Sequence, residues 1–268
     1  MSIVASRADA HLHIPKTSAN AVSVLLKDMD KASIEKAVLI VNTEPEMISV
    51  RNDLRVFLEN RNRFHLVAGL NMKKPEPLSI YSFFREVGIH PDVKLHPKMF
   101  GYTMADLPRI TEALSGIECR NIVIDSLCFG EQLANHIGIE MAIDLAREFP
   151  EKKVVIAHSG FIKLLECQMF TRDLANIFYD LSFTASYINH TSVRLDMVNF
   201  IRHTSGRVMF GSDYPDFSFD RAVESFMDLC AEAGLSEEAL ADVFFRNAIK
   251  IYWGQEQITG KEVDDGGR

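Results

Sequence analysis

The chain has 268 residues, of which 47% are hydrophobic and 25% are charged, and its formal net charge is -8 at pH 7. This balance is typical of a soluble globular protein with a sizeable core. The acidic charge argues against nucleic acid or a membrane surface as a partner, because those partners attract clustered Lys and Arg. No apolar run approaches the roughly 18 residues of a membrane span, and the N-terminus lacks a signal-peptide pattern, so we expect a cytoplasmic protein.

The four cysteines are scattered along the chain and form no CxxC pair; they are Cys119, Cys128, Cys167 and Cys230. Their number and spacing suit neither a disulfide framework nor a structural zinc knuckle. We therefore interpret them as reduced thiols in or near the core.

Eight apolar runs recur along the chain, each bounded by polar residues, Gly or Pro. They are residues 8–14 (ADAHLHI), 36–42 (KAVLIVN), 64–71 (FHLVAGLN), 92–97 (DVKLHP), 121–128 (NIVIDSLC), 153–160 (KVVIAHSG), 177–183 (IFYDLSF) and 207–215 (RVMFGSDYP). The segments between them are predicted to be amphipathic helices, among them 21–32, 47–61, 136–149 and 219–233. Successive runs begin about 30 residues apart, which leaves room for one helix and two short loops.

Eight strand and helix units predict an α/β fold, a single-domain (β/α)₈ TIM barrel, which commonly takes about 250 residues. Near-continuous apolar strands also suit a parallel sheet covered by helices. An open doubly wound sheet is the alternative, but no GxGxxG follows the first strand. We expect the barrel to occupy residues 1–254 and to be followed by a polar, frayed tail at 255–268.

Polar and ionisable residues lie late in most of the predicted strands. They are His11, His13, Asn42, Asn71, Lys94, His96, Asp125, His158, Asp180 and Asp213. In a barrel they converge on the C-terminal mouth, where barrel enzymes place their chemistry. Any one of them could simply bond to a loop, but burying the whole set is costly unless its members pair or coordinate a metal.

The pair His11 and His13 is the sharpest of these signals. Residues at i and i+2 of a strand project to the same face, about 7 Å apart at the backbone. That separation lets two imidazoles meet on one cation. Asp213, on the last strand, becomes a neighbour of the first strand when the ring of strands closes, so we expect these three residues to form one centre.

Several motifs together are similar to the amidohydrolase superfamily, particularly its amidohydrolase-related and aminocarboxymuconate-semialdehyde decarboxylase-like subgroup. They are ADAHLHI, VKLHP, VVIAHSG, VMFGSDYP and FFRNAIKIYWG, and the resemblance spans residues 8–254. The resemblance implies His11, His13 and Asp213 as metal ligands. It also implies that His158, on the sixth strand, binds a second metal or works beside the first.

Asp125 departs from the family pattern, because the resemblance implies a histidine ligand on the fifth strand. A carboxylate there can still bind a cation and favours harder ions such as Mn²⁺ or Fe²⁺. The departure equally fits a metal that is weakly held or absent, as in metal-free lactonases that resemble this family. We expect one divalent ion, with zinc first and manganese or iron as alternatives, and we leave a second metal open.

Lys94 and His96 share one face of the fourth strand. We expect them, with Asp125, to contact the substrate. Lys94 has two further interpretations: a carboxylated lysine that bridges two metals, as in some relatives, or an interior salt bridge to Asp125.

The expected reaction is hydrolysis of a C–N or C–O bond in a small molecule, such as an amide, a cyclic amide, an ester or a lactone, by metal-activated water. Asp213 is the candidate base, and His158 the candidate group that polarises the substrate. Non-oxidative decarboxylation on the same metal site is the alternative enzyme reaction. A metabolite-binding barrel without activity is the non-enzymatic alternative, and a homodimer is the default assembly.

Overall fold

The computed structural model describes residues 6–15, 20–128, 130 and 137–254. Eight parallel strands pair in chain order. They are β1 Arg7–His13, β2 Ile34–Val41, β3 Phe64–Gly69, β4 Asp92–Leu95, β5 Asn121–Asp125, β6 Lys153–Ala157, β7 Ile177–Asp180 and β8 Val208–Met209. Each predicted apolar run overlaps one of these strands, so the predicted eight-unit repeat is confirmed.

Helices lie between successive strands and cover the outer face of the sheet. They are α1 Ala21–Lys31, α2 Glu44–Asn52, α3 Leu54–Glu59, α4 Ser79–Glu86, α5 Pro97–Phe100, α6 Leu107–Ser115, α7 Ile137–Glu148, α8 Leu164–Thr171, α9 Thr184–Tyr187, α10 Val193–Thr204, α11 Phe219–Ala233 and α12 Glu237–Ala241. Two π-helical turns follow, at Asp242–Arg246 and Ile249–Trp253. Among the described residues, we find no helix that combines the length and the apolar character needed to cross a membrane.

The first strand and the segment that follows the last strand join to close the ring. The amide of Ala10 donates to the carbonyl of Phe210 at 2.8 Å, and the amide of His13 donates to that of Tyr214 at 2.7 Å. The amide of Asp213 returns a bond of 2.9 Å to the carbonyl of His11. These bonds make the sheet a (β/α)₈ barrel and exclude the open doubly wound alternative.

A β-bulge in β1 determines which of its side chains face the inside. Asp9 is paired with Ala37 and Leu12 with Leu39, so two residues of β1 lie opposite the single residue Val38. An extra residue shifts the alternation of side chains along a strand. As a result both Ala10 and the next residue, His11, turn towards the barrel interior.

Two apolar layers hold the barrel together. The larger lies between the strands and the surrounding helices. The smaller fills the interior with strand residues such as Val67, Val123 and Val155, and Tyr252 of the last π-helical turn packs into it. This rigid interior supports the mouth from below.

The predicted helix at 47–61 differs most from the structure. It begins earlier, at Glu44, because Glu46 accepts hydrogen bonds from the amide and the hydroxyl of Thr43 in a capping box. It is also interrupted at Asp53, so that α2 and α3 are separate helices. The predicted helices at 21–32, 136–149 and 219–233 correspond to α1, α7 and α11.

The predicted tail at 255–268 and His136 lie outside the described residues. The four cysteines are free thiols, three of them buried and Cys119 partly buried, as expected.

Candidate metal centre

The first strand supplies two imidazoles to the mouth of the barrel. The Nδ1 atom of His11 lies 3.1 Å from Asp180 Oδ2, and the Nδ1 atom of His13 lies 3.1 Å from the carbonyl oxygen of Ile40. A carboxylate and a carbonyl accept hydrogen bonds and do not donate them. Each Nδ1 atom therefore carries the ring proton, and each Nε2 atom presents a lone pair.

The surroundings of these two rings favour their neutral form. Burial, and after it the charge of Lys94, lowers the pKa of His11 and brings the pKa of His13 well below its ordinary value. The neutral imidazole is the form that ligates a metal. Both side chains are therefore prepared for coordination through Nε2.

Asp213, in the segment after β8, places its carboxylate beside the Nε2 atoms of both histidines. Its Oδ1 atom lies 3.5 Å from His11 Nε2 and 3.6 Å from His13 Nε2. Ligand atoms about 2 Å from one tetrahedral cation lie roughly 3.4 Å apart, so these separations suit a shared ion. The backbone of Asp213 is left-handed, with a φ of 60°, a strained conformation that its bond to the His11 carbonyl helps to hold.

His158 follows β6 at an abrupt turn. Residues 158 to 161 all have positive φ, which ends the strand at Ala157 and not at residue 160 as predicted. The hydroxyl of Ser159 donates to the carbonyl of Asp180 at 2.6 Å, and that of Thr184 donates to the carbonyl of His158 at 2.7 Å. These two bonds hold the turn and direct the imidazole into the mouth.

Both ring nitrogens of His158 face acceptors. Nδ1 lies 2.9 Å from the carbonyl oxygen of Ser182, and Nε2 lies 3.0 Å from Asp125 Oδ2. Burial by itself lowers the pKa of His158, but the charge and hydrogen bond of Asp125 outweigh it and raise the pKa to about 9. The ring is also close to His11, with 4.7 Å between centroids, and ligand atoms of His11, His158 and Asp213 all lie within 4.8 Å of one another.

Asp125 is the centre of a second cluster beside the first. Its Oδ2 atom lies 3.2 Å from Lys94 Nζ and 3.5 Å from His96 Nε2, in addition to the bond with His158. Burial raises the pKa of Asp125, but the charges of His96, Lys94 and His158 bring it well below its ordinary value. The salt bridge between Lys94 and Asp125 that the sequence left as an alternative is therefore present.

Sequence reasoning placed Asp180 at the mouth but gave it no role. Its Oδ2 atom bonds His11, and its Oδ1 atom accepts from the amide of His158 and the amide of Ser182, each at 3.1 Å. The hydroxyl of Ser182 makes a further short bond to Oδ1. Burial raises the pKa of Asp180, yet the charge and hydrogen bond of His11, the charge of His158 and the hydrogen bond of Ser182 bring it down to about 2.

Glu46 is a second residue that the sequence analysis missed. It is buried, with Oε2 bonded to the amides of Asn42 and Thr43 at 2.8 Å and Oε1 3.6 Å from His13 Nδ1. The signal was present as the capping-box pattern TEPE at residues 43–46, directly after the second strand. Only the fold shows that this cap lies against the first strand.

The two clusters form the floor of an open pocket at the mouth. The pocket is also lined by apolar residues, namely Ile14, Met99, Leu127, Phe183 and Pro215. Met99 lies on α5, directly after β4, and Pro215 lies in the segment after β8. The predicted substrate contacts Lys94, His96 and Asp125 all line this pocket.

The closed barrel and the cluster at its mouth define a (β/α)₈ protein of the amidohydrolase superfamily. The chain belongs to the amidohydrolase family, whose sequence profile matches residues 87–253. The resemblance drawn from the motifs is thereby confirmed, although His11 and His13 precede the matched region. Membership supports a hydrolase or a related function, and the buried cluster that contains His11 and Asp213 agrees with the metal dependence typical of the family.

Several solved structures share this fold. An uncharacterized TIM-barrel protein from Bordetella bronchiseptica has 16% identity and a TM-score of 0.69, over 93% of this chain and 99% of that chain. An N-isopropylammelide isopropylaminohydrolase from Burkholderia multivorans has 14% identity and a TM-score of 0.60, over 86% of this chain and 63% of that chain. A 5-methylcytosine deaminase from Klebsiella pneumoniae, liganded with phosphonocytosine, has 14% identity and a TM-score of 0.58, over 88% of this chain and 65% of that chain. No curated protein matches the sequence.

Proposed function

We propose that this chain is a metal-dependent hydrolase that cleaves a C–N or C–O bond of a small molecule, in an amide, a cyclic amide, an ester or a lactone. The observation that carries the proposal is the position of Asp213 Oδ1, 3.5 Å from His11 Nε2 and 3.6 Å from His13 Nε2. Family membership supports a reaction of this class.

The donor set fits a divalent cation. It combines the Nε2 lone pairs of His11 and His13 with a carboxylate oxygen of Asp213, and each Nδ1 atom is already bonded to an acceptor. Imidazole and carboxylate ligands suit zinc first, and also manganese or iron. When bound, the ion supplies Lewis-acid activation of water and of a substrate carbonyl.

Asp213 is the proposed general base. Its carboxylate lines the pocket, where it accepts a proton from the attacking water and passes it to the leaving group. The strained backbone at this residue orients the carboxylate in advance of the reaction.

His158 is proposed to act beside the metal, and not as a ligand to it. Because Ser182 and Asp125 both present acceptors to the ring, each nitrogen holds a proton and neither has a free lone pair. The proton at Nε2 lies between His158 and Asp125 at the pocket floor. We assign this pair to polarising the substrate carbonyl.

The experiment measures metal content and reaction products together. Protein grown with added zinc, manganese or iron is expected to hold about one ion per chain. With a panel of amides, cyclic amides, esters and lactones, it is expected to release a carboxylic acid without CO₂. Release of CO₂ would indicate decarboxylation, and less than about 0.2 ion per chain would contradict the proposed metal centre.

Asp213→Asn is the matching variant. We expect it to lose most metal and nearly all turnover, since an amide is a weak ligand and not a base. Asp173→Asn is the control, because the side chain of Asp173 is 92% exposed on the outer surface. Equal turnover in both variants would remove Asp213 from the mechanism.

A further inference from the structure

Lys94 lies directly against one of the proposed ligand atoms. Its Nζ atom is 3.1 Å from His11 Nε2 and 3.2 Å from Asp125 Oδ2. Its side chain is 1% exposed, so water does not compete for these contacts. The lysine therefore bridges the two clusters at the barrel mouth.

The contact with His11 uses the lone pair that a metal would need. His11 Nδ1 donates to Asp180, so Nε2 is the acceptor side of the ring. A lysine nitrogen in its charged form only donates hydrogen bonds. One lone pair cannot accept a hydrogen bond from Lys94 and bind a cation at the same time.

Lys94 has a second partner that allows it to release His11. Asp125 Oδ2 keeps the Lys94 amine in an ion pair even after the bond to His11 is broken. A divalent ion and an ammonium group also repel each other at this range, which favours that separation.

We propose that Lys94 competes with the metal ion for His11 Nε2, so that metal binding requires Lys94 to leave His11 and to remain paired with Asp125. The inference rests on the metal-ligand set of the proposed function, because it takes His11 as a metal ligand. It makes Lys94 a residue that sets metal affinity, opposite in sign to a carboxylated lysine that bridges two metals.

The test is a measurement of metal affinity by competition with a chromophoric chelator, using zinc and manganese in turn. Lys94→Met removes the competing donor at similar volume and leaves Asp125 hydrogen-bonded to His158 and near His96. We expect this variant to bind metal about tenfold more tightly, since a charge-assisted hydrogen bond no longer has to be broken. Lys98→Met, on α5 after the same strand, is the control for the loss of one positive charge near the mouth, and we expect no comparable gain.

Unchanged or weaker binding in Lys94→Met overturns the inference, and so does a fall from two bound ions to one. If the wild type binds metal and the two proteins have equal affinities, the proposed function stands and the competition fails. If only Lys94→Met binds metal, the competition stands and the proposed function fails. If neither binds metal, both fail.

A crystal structure of the metal-loaded wild type gives an answer even if Lys94→Met does not fold. We expect Lys94 Nζ beyond hydrogen-bond distance from His11 and still within reach of Asp125. A lysine nitrogen that stays at His11, or that binds the ion through a carbamate, overturns the inference.

Discussion

Asp180 Oδ2 and His11 Nδ1 are joined by a hydrogen bond of 3.1 Å between the seventh and first strands. The bond determines which nitrogen of His11 faces the mouth, because the carboxylate requires a proton on Nδ1. The other oxygen of Asp180 is occupied by donors from His158 and Ser182, so the carboxylate cannot turn away. A fully buried carboxylate thus prepares the proposed metal ligand.

Asp180→Asn is expected to weaken metal binding. The amide oxygen of the variant stays with the donors of Ser182, so its NH₂ group faces His11 Nδ1. That contact drives the ring proton to Nε2 and removes the lone pair. We expect a loss of metal affinity on the order of 10- to 100-fold, measured by chelator competition. Asp173→Asn is the control, and an unchanged affinity in Asp180→Asn would contradict this role.

Asp92 makes the stability of the folded protein depend on pH in the acid range. It is buried at the opposite end of the barrel, where it bonds His65 Nε2 at 2.6 Å and the amides of Arg120 and Asn121 at 2.9 Å. Burial raises the pKa of Asp92, but the hydrogen bond and charge of His65 and the bonds from Asn121 lower it below its ordinary value of 3.8. A lowered folded-state pKa stabilises the protein above the unfolded-state value, and the stabilisation is lost as the pH falls towards the folded-state value.

Asp92→Asn is therefore expected to cost roughly 2 to 3 kcal/mol of unfolding free energy at pH 7. The difference in unfolding free energy between wild type and variant should narrow as the pH falls below about 4. The carboxylate of the unfolded wild type is protonated there, and the folded one, with its lowered pKa, takes up its proton only at lower pH. Urea unfolding of wild type and variant at several pH values measures the loss of unfolding free energy and its dependence on pH. A gap that stays constant down to pH 3 would show that the charge of Asp92 does not contribute.

Asp9 holds the bulge that turns His11 inward. Its Oδ1 atom accepts the amide of His11 at 2.9 Å and the amide of Ser212 at 3.0 Å, and so links β1 to the segment after β8. Asp9→Ala leaves both buried amides without a partner, so we expect a loss of roughly 2 to 4 kcal/mol and weaker metal binding. Asp9→Asn keeps an acceptor and should be much milder. Equal damage in the two variants would exclude hydrogen-bond acceptance as the role of Asp9.

Gly211 provides the space in which His11 packs. A Cβ atom at this position would lie 2.9 Å from Ser182 Cβ and 3.1 Å from His11 Cβ. Gly211→Ala is expected to displace one of these neighbours, to destabilise the fold by about 1 to 3 kcal/mol and to weaken metal binding. Gly206→Ala is the matched control, since a Cβ atom there meets nothing within 4 Å. Thermal unfolding and metal titration measure these effects in both variants. Equal melting temperatures and equal metal affinities in the two variants would contradict this account.

The strands and the proposed metal ligands His11 and His13 could be predicted from the sequence because their signals are local. Each strand is an apolar run a few residues long, and the spacing of His11 and His13 already places them on one face. The break between α2 and α3 at Asp53 and the early end of β6 at Ala157 were not predicted. β6 ends early because of the left-handed turn at residues 158 to 161. That turn depends on hydroxyl hydrogen bonds that join it to the last residue of β7 and the first residue of α9.

The sequence by itself determined the eight-unit barrel, the family and most of the residues that gather at the mouth. Apolar periodicity and short motifs depend only on residues that are close together in the chain. Only the tertiary structure decided how those residues are partnered. Asp180 bonds His11, Asp125 holds Lys94 and His158, and Lys94 contacts His11. The partners in these contacts lie between 31 positions apart, for Lys94 and Asp125, and 169 positions apart, for His11 and Asp180. The contacts arise only when the ring of strands closes.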